Sequence, residues 1–213
     1  MYTSSTIHST PEGGLVAPAV ARNTAPILKL LQAHLPAQGD VLEIAAGSGE
    51  HAIAFAAALP GVTWTPSDPS AEARASIAAW TAQSGLANLT EPLALDAATL
   101  STWPDATYQA LVCINMIHIS PWAATQGLMA GAARALQQPG GLLFLYGPYR
   151  EAGVPLAPSN AAFDESLKSR NPEWGLRDLD TVVAEARRHG LHLTRRIEMP
   201  ANNLTLIFRL TQP

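Results

Sequence analysis

The sequence has a single cysteine, Cys113, and few charged residues. One cysteine excludes a disulfide or a cysteine zinc cluster within the chain, and it favours a reducing compartment, which we take to be the cytoplasm. Charged residues make up only 14% of the 213 residues. The 13 basic residues are spread thinly and the formal net charge is −4. No basic stripe is therefore available for a phosphate backbone, and we expect no nucleic acid partner.

Long hydrophobic runs are lacking as well. No run reaches the roughly 18 apolar residues of a membrane span, and the first residues show no basic segment followed by an apolar core. We therefore expect a soluble protein with no membrane partner, and we expect no metal site. The hydrophobic content of 47% is nevertheless sufficient for a sizeable core in one ordinary domain.

Strand and helix patterns alternate along most of the chain. After a first predicted helix, the apolar segments "DVLEIAA", "VTWTPSD", "LTEPLALD", "YQALVCINMI" and "LLFLYG" are typical of strands separated by helices. "LHLTRRIEMP" and "LTLIFRL" are joined by a short turn, which predicts an antiparallel pair. The pattern predicts an α/β fold: a doubly wound, Rossmann-like, mostly parallel seven-stranded sheet with helices on both faces and a C-terminal antiparallel hairpin.

The chain is predicted to contain one domain, residues 16–213, preceded by a flexible N-terminus at residues 1–15. Residues 148–177 interrupt the alternation with proline, glycine, aromatic and charged residues. Loops of this length in compact domains are often functional, so we predict a lid-like insertion there.

The turn in "VLEIAAGSGEHA" lies where α/β sheets bind ligands, after the first sheet strand. Gly47 and Gly49 let a ligand approach the backbone, and the amides at the following helix start attract a carboxylate or a phosphate. The pattern Gly-x-Gly-x-x-Ala is a weak signal by itself, since a tight turn without a ligand produces it too.

Acids follow or lie within the neighbouring strands. Asp68 ends the second strand, where a carboxylate accepts hydrogen bonds from both ribose hydroxyls of an adenosine; the alternative is a helix cap supplied by Asp68 or Ser70. Asp96 ends the third predicted strand and either faces an adenine amino group or is a solvated loop acid. Glu43 lies inside an apolar strand, so we expect backbone amides or a ligand amine to bond it.

Several motifs resemble a known class of enzyme. "VLEIAAGSGEHA", the acid in "PSDPS", "LALDA" and "PGGLLFLYGP" resemble the ordered motifs of class I S-adenosylmethionine-dependent methyltransferases. More narrowly, "ARNTAPIL", "INMIHISPW", "SNAAFDESL", "RNPEWGLRDL" and "MPANNL" resemble the small, functionally uncharacterised methyltransferase-like family that includes methyltransferase-like protein twenty-six. The resemblance implies S-adenosylmethionine as cofactor and S-adenosylhomocysteine as product. Ala45 departs from the class pattern, because it replaces the usual first glycine of the turn.

The resemblance also implies that the segment before the sheet folds over the cofactor, where Arg22 either pairs with its carboxylate or lies on the surface. Together with the turn and the acids, this predicts a cofactor site made of Arg22, Asn23, Glu43, Ala45, Gly47, Ser48, Gly49, Asp68, Pro69, Asp96, Ala97 and Asn115.

The segment "NMIHISPW" follows the fourth strand, at the edge where a methyl group would be presented. Asn115 is placed to hold the methionine amine through its carbonyl. His118 is the candidate catalytic base, because its reference pKa lies near neutrality; the alternative is a structural histidine bonded to the backbone. An "NPPY"-like signature is absent after Asn115, which argues against nucleobase amino groups as acceptors.

A set of rings with amide and guanidinium donors suits a small polar or planar acceptor. These predicted pocket residues are His51, Tyr146, Tyr149, Asn160, Phe163, Arg170, Asn171 and Trp174. The alternative is a loop held together by its own aromatic rings.

The function predicted is S-adenosylmethionine-dependent methylation of an unidentified small molecule. Two alternatives remain. An NAD-dependent oxidoreductase would share the glycine turn and Asp68. A non-catalytic, S-adenosylmethionine-binding regulatory protein would share the whole cofactor site. The sequence indicates no oligomeric state.

Overall fold

The computed structural model describes residues 8–137 and 140–211. Three parts of the sequence predictions lie outside these residues: positions 1–7 of the N-terminal segment, Gln138 and Pro139 of the predicted helix stop "QQPGG", and positions 212–213 of the predicted domain. The chain divides into two compact units, with Leu95 the last residue of the first and Asp96 the first residue of the second. The prediction of one domain from residue 16 onward stays a prediction.

The first unit alternates strands and helices after a short antiparallel pair. Its elements are β1 (His8–Ser9), β2 (Leu15–Val16), α1 (Val20–His34), β3 (Gly39–Ile44), α2 (Glu50–Ala58), β4 (Val62–Pro66) and α3 (Ala71–Ser84). β3 and β4 pair in parallel, with Gly39 opposite Val62 and Glu43 opposite Pro66. The core of this unit includes Val41, Leu42, Phe55, Trp64 and Ile77, all of which are fully buried or nearly so.

The second unit carries the remaining strands. Its elements are a 3-10 turn (Leu100–Thr102), β5 (Ala110–Ile114), a 3-10 turn (Met116–His118), α4 (Trp122–Ala135), β6 (Leu142–Gly147), α5 (Pro158–Arg170), α6 (Leu179–Arg188), β7 (Leu191–Met199), a 3-10 turn (Pro200–Asn202) and β8 (Asn203–Leu210). β5 and β6 are parallel, whereas β8 runs antiparallel to β6 and β7. The predicted α/β fold with a C-terminal antiparallel hairpin is confirmed.

The prediction of seven strands is wrong: apart from the short β1–β2 pair, the described residues contain six strands, β3 and β4 in the first unit and β5 to β8 in the second. The missing strand is "LTEPLALD", which makes isolated bridges at Trp64–Leu89, within β4, and at Ser67–Leu93, just after β4. The backbone ladder begins with Trp64 N donating to Asn88 O and Thr90 N donating to Trp64 O. Pro66 and Pro92 have no N–H group to continue it, so a regular strand does not form.

Residues 148–177 contain α5, a helix that the sequence patterns did not predict. Pro158 begins this helix at a position where its missing N–H costs nothing. α6 begins as predicted, because the Asp178 side chain accepts a hydrogen bond from Thr181 N. In the parts of the chain that the structure describes, every helix is too short or too polar to span a lipid bilayer.

Candidate functional site

The glycine turn follows β3, and every second residue in it has a left-handed backbone conformation. Ala45, Gly47 and Gly49 have φ angles of 57°, 59° and 90°. A Cβ atom added to Gly47 would meet nothing within 4 Å, whereas one added to Gly49 would lie 3.0 Å from Ile77 Cα. Gly49 is therefore required for packing of the turn against α3, and Gly47 leaves open space in which a ligand can approach the backbone.

Ala45 keeps the conformation of the glycine it replaces. Its φ of 57° lies in the left-handed region, where a side chain costs roughly 1–2 kcal/mol. The turn therefore holds its shape at an energetic cost, which is a common property of functional loops.

Asp68 joins the end of β4 to the glycine turn. Its Oδ2 atom accepts a hydrogen bond from Gly47 N at 3.0 Å, and its Oδ1 atom accepts one from Ser70 N at 2.9 Å. Burial raises the pKa of Asp68, while the two amides and Arg74 lower it, and the net direction is upward. A carboxylate offers about four acceptor positions, so about two remain for a ligand.

Ser70 caps α3, since its Oγ atom accepts a hydrogen bond from Ala73 N at 3.3 Å. The cap that the sequence left open between Asp68 and Ser70 therefore belongs to Ser70. Asp68 instead accepts hydrogen bonds from two backbone amides, one in the glycine turn and one just before α3.

Glu43 is buried, with 2% of its surface exposed. Its Oε2 atom accepts a hydrogen bond from Trp64 Nε1 at 2.8 Å, so an indole takes the place of the expected backbone amides. Burial raises the pKa of Glu43 to about 7, the Trp64 hydrogen bond opposes this, and the charge of Asp68 adds to it.

The chain before α1 contacts the turn directly. Glu50 Oε2 accepts hydrogen bonds from Ser48 Oγ at 2.9 Å and from Ala17 N at 2.7 Å. Ser76 Oγ donates to Ser48 O and accepts from Leu15 N, both at 2.7 Å. These bonds fix the segment around residues 15–17 beside the glycine turn.

Asn23 and His51 bind one another. His51 Nε2 and Asn23 Oδ1 are 2.9 Å apart, and the His51 ring stacks on Phe55 with centroids 5.2 Å apart. Burial lowers the pKa of His51 to about 4, so the ring is neutral near pH 7. Arg22, the residue before Asn23 in α1, is exposed.

In the second unit, Asn115 and His118 approach the end of β6. A Cβ atom added to Gly147 would lie 2.5 Å from His118 Nε2 and 3.2 Å from Asn115 Oδ1. Asn115 itself has a φ of 62°, and its backbone N–H group donates a hydrogen bond to Tyr146 O at 2.8 Å. Glycine is therefore needed at position 147, because the two side chains occupy the space that any larger residue would fill.

His118 is fully buried. Its Nδ1 atom accepts a hydrogen bond from Arg177 N at 3.3 Å, and its Nε2 atom has no partner among the described residues. The Tyr149 ring packs edge-on against it at 4.9 Å. Burial lowers the pKa of His118 to about 3 and the nearby Arg177 guanidinium lowers it further, which favours the structural alternative over a general base.

Arg177, which the sequence patterns did not single out, organises the backbone beside His118. Its guanidinium donates to Ile117 O at 2.8 Å, Ser120 O at 2.5 Å and Glu173 O at 3.0 Å. It also lies over the Trp122 ring, 5.8 Å from the centroid. No local sequence signal identifies it, because most of its partners are distant backbone carbonyls.

Asp164 was also missed. It is 4% exposed, accepts hydrogen bonds from Lys168 Nζ and Leu176 N at 2.7 and 2.8 Å, and pairs with Arg150. Burial acts to raise the pKa of Asp164, but these hydrogen bonds hold it below its ordinary value. The segment predicted as a lid is thus fastened internally at Asp164 and to the turn at residues 116–120 through Arg177.

The Asp96 carboxylate accepts hydrogen bonds from its own loop. Its Oδ1 atom accepts from Ala98 N at 2.9 Å and its Oδ2 atom from Thr99 Oγ1 at 3.2 Å. This arrangement favours the alternative of a loop acid. The cofactor contacts predicted for Asp96, Ala97 and Asn115 stay predictions, as do those of Pro69 and Arg22 in the first unit.

A cavity of about 290 Å³ lies in the second unit, between the start of α5, the preceding loop and the ends of β7 and β8. Its polar lining consists of Tyr149, Glu151, Asn160, Arg196, Glu198, Asn202 and Asn203, and its apolar walls include Val154, Pro155, Leu156, Met199 and Leu204. Of the predicted acceptor residues, only Tyr149 and Asn160 line it.

The acceptor contacts of the other predicted pocket residues stay predictions, and the structure gives several of them contacts of their own. Arg170 stacks on the Trp174 ring at 5.5 Å, and Asn171 Oδ1 accepts a hydrogen bond from Glu173 N at 2.9 Å. Tyr146 is buried within β6, and Phe163 is 37% exposed. The Arg170–Trp174 contact matches the alternative of a loop held by its own rings.

Comparison with solved structures identifies the class of fold. An O-methyltransferase family protein from Burkholderia thailandensis superposes with a TM-score of 0.77 at 14% identity, over 91% of this chain and 58% of that one. A putative O-methyltransferase from Nostoc punctiforme gives 0.76 at 17% identity, over 90% and 57%. A methyltransferase of calicheamicin biosynthesis, solved with S-adenosylhomocysteine, gives 0.71 at 16% identity, over 89% and 54%.

At these identities the similarity shows a methyltransferase-like α/β fold, and the chain spans a little more than half the length of these relatives. The model of a family described as "Protein of unknown function (DUF938)" matches residues 15–210. The chain belongs to this family.

Proposed function

We propose that this protein transfers a methyl group from S-adenosylmethionine to a small-molecule acceptor. The observation that carries the proposal is the arrangement of Asp68 and Gly47, in which a buried carboxylate with spare acceptor capacity faces an open glycine backbone. The methyltransferase-like fold supports it, as does the resemblance of the motifs from "ARNTAPIL" to "MPANNL" to the small methyltransferase-like family.

The residues of the first unit fit a nucleoside joined to an amino acid. Asp68 accepts hydrogen bonds from ribose hydroxyls, and the first amides of α2, which have no partners inside the helix, donate to a carboxylate. Glu43 places a second carboxyl close enough to Asp68 for their charges to interact, which suits a cationic ligand. When bound, S-adenosylmethionine supplies a methyl group on a sulfonium, which is already activated for transfer.

The protein then has to align the acceptor with that methyl group, which is the main requirement of an in-line displacement. Asp68 and the open backbone at Gly47 would hold the methyl donor, which would supply its methyl carbon to the acceptor atom; the new bond would replace the carbon–sulfur bond, and the acceptor's proton would pass to solvent. We infer that His118 positions the chain near Gly147 rather than taking this proton, because its pKa lies far below neutrality.

The proposal is tested by incubating the full chain with S-adenosylmethionine and pools of small metabolites, and measuring S-adenosylhomocysteine formation by mass spectrometry. At least one pool should raise its formation above the level without acceptor, and the Asp68→Ala variant should lose the increase. Tight binding of S-adenosylhomocysteine without turnover in any pool would instead identify a regulatory binding protein.

A further inference from the structure

We propose that the 290 Å³ cavity of the second unit binds the methyl acceptor, and that it selects small molecules carrying a protonated amine. This inference rests on the proposed function and adds the chemical class of the acceptor. The volume lies at the lower end of the roughly 300–1,000 Å³ found for ligand pockets, so a metabolite of small size fits.

The hydrogen-bond donors that line the cavity are largely used within the protein. Arg196 donates to both carboxylate oxygens of Glu151, at 2.5 and 2.7 Å, and to Glu198 Oε1 at 3.3 Å. The side-chain amides of Asn160, Asn202 and Asn203 donate to the carbonyl of residue 202, the Ser159 hydroxyl and the carbonyl of residue 200, at 2.9, 3.1 and 3.0 Å. A ligand therefore meets few free donors.

Acceptor atoms remain available. Because their NH₂ groups face carbonyls, Asn160 and Asn203 leave their amide oxygens without a donor among the described residues. Glu198 pairs with Arg196 through only one of its two oxygens and is 82% exposed at its side chain. A lining rich in acceptors selects a ligand rich in donors.

The charge of the lining favours a cation. Glu151 and Glu198 carry two negative charges against the single positive charge of Arg196, which leaves the cavity with a net charge of −1. The hydrogen bond from Arg196 lowers the pKa of Glu151, so this carboxylate stays ionised near neutral pH. An ammonium group is attracted by this balance, and a carboxylate is repelled by it.

The remaining surface suits the body of such a molecule. Leu156, Met199 and Leu204 supply apolar contacts for a hydrocarbon or ring. Tyr149 also lines the cavity, is 5% exposed, and has a hydroxyl without a partner among the described residues.

The test uses matched probes with the full chain: tyramine, tyrosol and 4-hydroxyphenylacetate, which differ mainly in an amine, an alcohol or a carboxylate. Isothermal titration in the presence of S-adenosylhomocysteine should show the tightest binding for tyramine, at least tenfold weaker binding for tyrosol, and no binding for the acid. Hexylamine, hexanol and hexanoate repeat the comparison without a ring. Equal or tighter binding of the acids would overturn the proposal.

Two variants locate the site. Glu151→Gln and Glu198→Gln should each weaken tyramine binding by about tenfold, or about 1.4 kcal/mol, and leave S-adenosylhomocysteine binding unchanged. Glu165→Gln, an exposed residue of α5 outside the lining, is the matched control and should change neither. Amine binding that ignores both cavity variants would overturn the inference alone.

The outcomes separate this inference from the proposed function. If the unmodified protein does not bind S-adenosylhomocysteine, the proposed function is refuted. The role of the cavity as an acceptor site is then refuted with it. If S-adenosylhomocysteine binds but no amine does, the proposed function stands and the amine class is wrong.

Discussion

The Oδ2 atom of Asp68 accepts a hydrogen bond from the backbone amide of Gly47 at 3.0 Å. This bond joins the end of β4 to the turn after β3, at the place where Gly47 leaves the backbone open. Asp68 thus holds the turn, and in the proposed function it also presents acceptor positions to a ribose. The first prediction separates these two roles.

Asp68→Ala should weaken S-adenosylhomocysteine binding by roughly 1.5–3 kcal/mol, the range for hydrogen bonds to a charged group. It should also lower the free energy of unfolding, because Gly47 N and Ser70 N lose their acceptor. Ser70→Ala is the control: it removes the α3 cap, which costs about 1 kcal/mol of stability, and should leave binding intact. Calorimetric titration beside a denaturation curve separates the effects, and unchanged binding by Asp68→Ala would remove the ribose role.

Ala45→Gly should raise stability by up to about 1 kcal/mol. The substitution relieves a left-handed alanine, worth roughly 1–2 kcal/mol, against the entropic cost of glycine, roughly 0.5–1 kcal/mol. Ala46→Gly is the matched control, because Ala46 is the neighbouring alanine without a positive φ and should only lose stability. Equal destabilisation by both substitutions in urea unfolding would show that Ala45 is unstrained.

Glu43 predicts a pH dependence of stability. Its pKa is raised from 4.5 to about 7 in the folded protein, so the folded state holds this proton more tightly than the unfolded state. The contribution of protonated Glu43 to the free energy of unfolding is therefore fully present below pH 4.5 and is lost as the pH rises through about 7. Glu43→Gln removes this titration, and the stability of the unmodified protein should fall relative to the variant by roughly 3 kcal/mol across that window.

The control for this measurement is Glu91→Gln, at an exposed position of the same unit. Its pH profile should run parallel to that of the unmodified protein. A parallel profile for Glu43→Gln as well would mean that Glu43 titrates normally.

His118 should stay neutral to a pH of about 3, and its ring proton should be on Nε2, since Nδ1 accepts the Arg177 amide. Nitrogen-15 NMR of the histidine rings measures both properties, with the exposed His192 as the reference signal. Titration of His118 between pH 6 and 7 would restore it as the catalytic base, and His118→Ala should then reduce turnover by about 10²- to 10⁴-fold.

Asp164→Asn should loosen residues 148–177 and cost roughly 1–3 kcal/mol of stability, because Arg150, Lys168 and Leu176 N lose a charged partner. Hydrogen exchange should rise in this segment, while S-adenosylhomocysteine affinity stays constant. Glu165→Gln, the exposed neighbour, should leave exchange unchanged. Unaltered exchange in Asp164→Asn would show that the segment is held by other contacts.

The features that the sequence predicted correctly are local ones. The left-handed glycines of the turn, Gly47 and Gly49, follow from residue types within a few positions of one another. The C-terminal hairpin and the Asp178 cap do so as well. The predicted number of strands was wrong because Pro66 and Pro92 interrupt the same ladder of backbone hydrogen bonds. Residue propensities do not show which backbone atoms will face each other.

α5 and the cavity were missed for a related reason. Only Asn160, Asp164 and Leu167 are buried on α5, so no apolar stripe marks the helix. The cavity is lined by Tyr149 and Glu151 from one part of the chain and by Arg196 and Glu198 from another. Glu151 and Arg196, which bond each other there, are 45 positions apart in the sequence. Periodicity along the chain does not carry this information.

The most direct test of the central claim is a titration of the full chain with S-adenosylhomocysteine and, separately, with NAD. S-adenosylhomocysteine should bind and, at a hundredfold excess over its Kd, raise the free energy of unfolding by about 2.7 kcal/mol, while NAD gives no change. Equal stabilisation by NAD, or no binding of either ligand, would contradict the assignment of the glycine turn and Asp68 to S-adenosylmethionine.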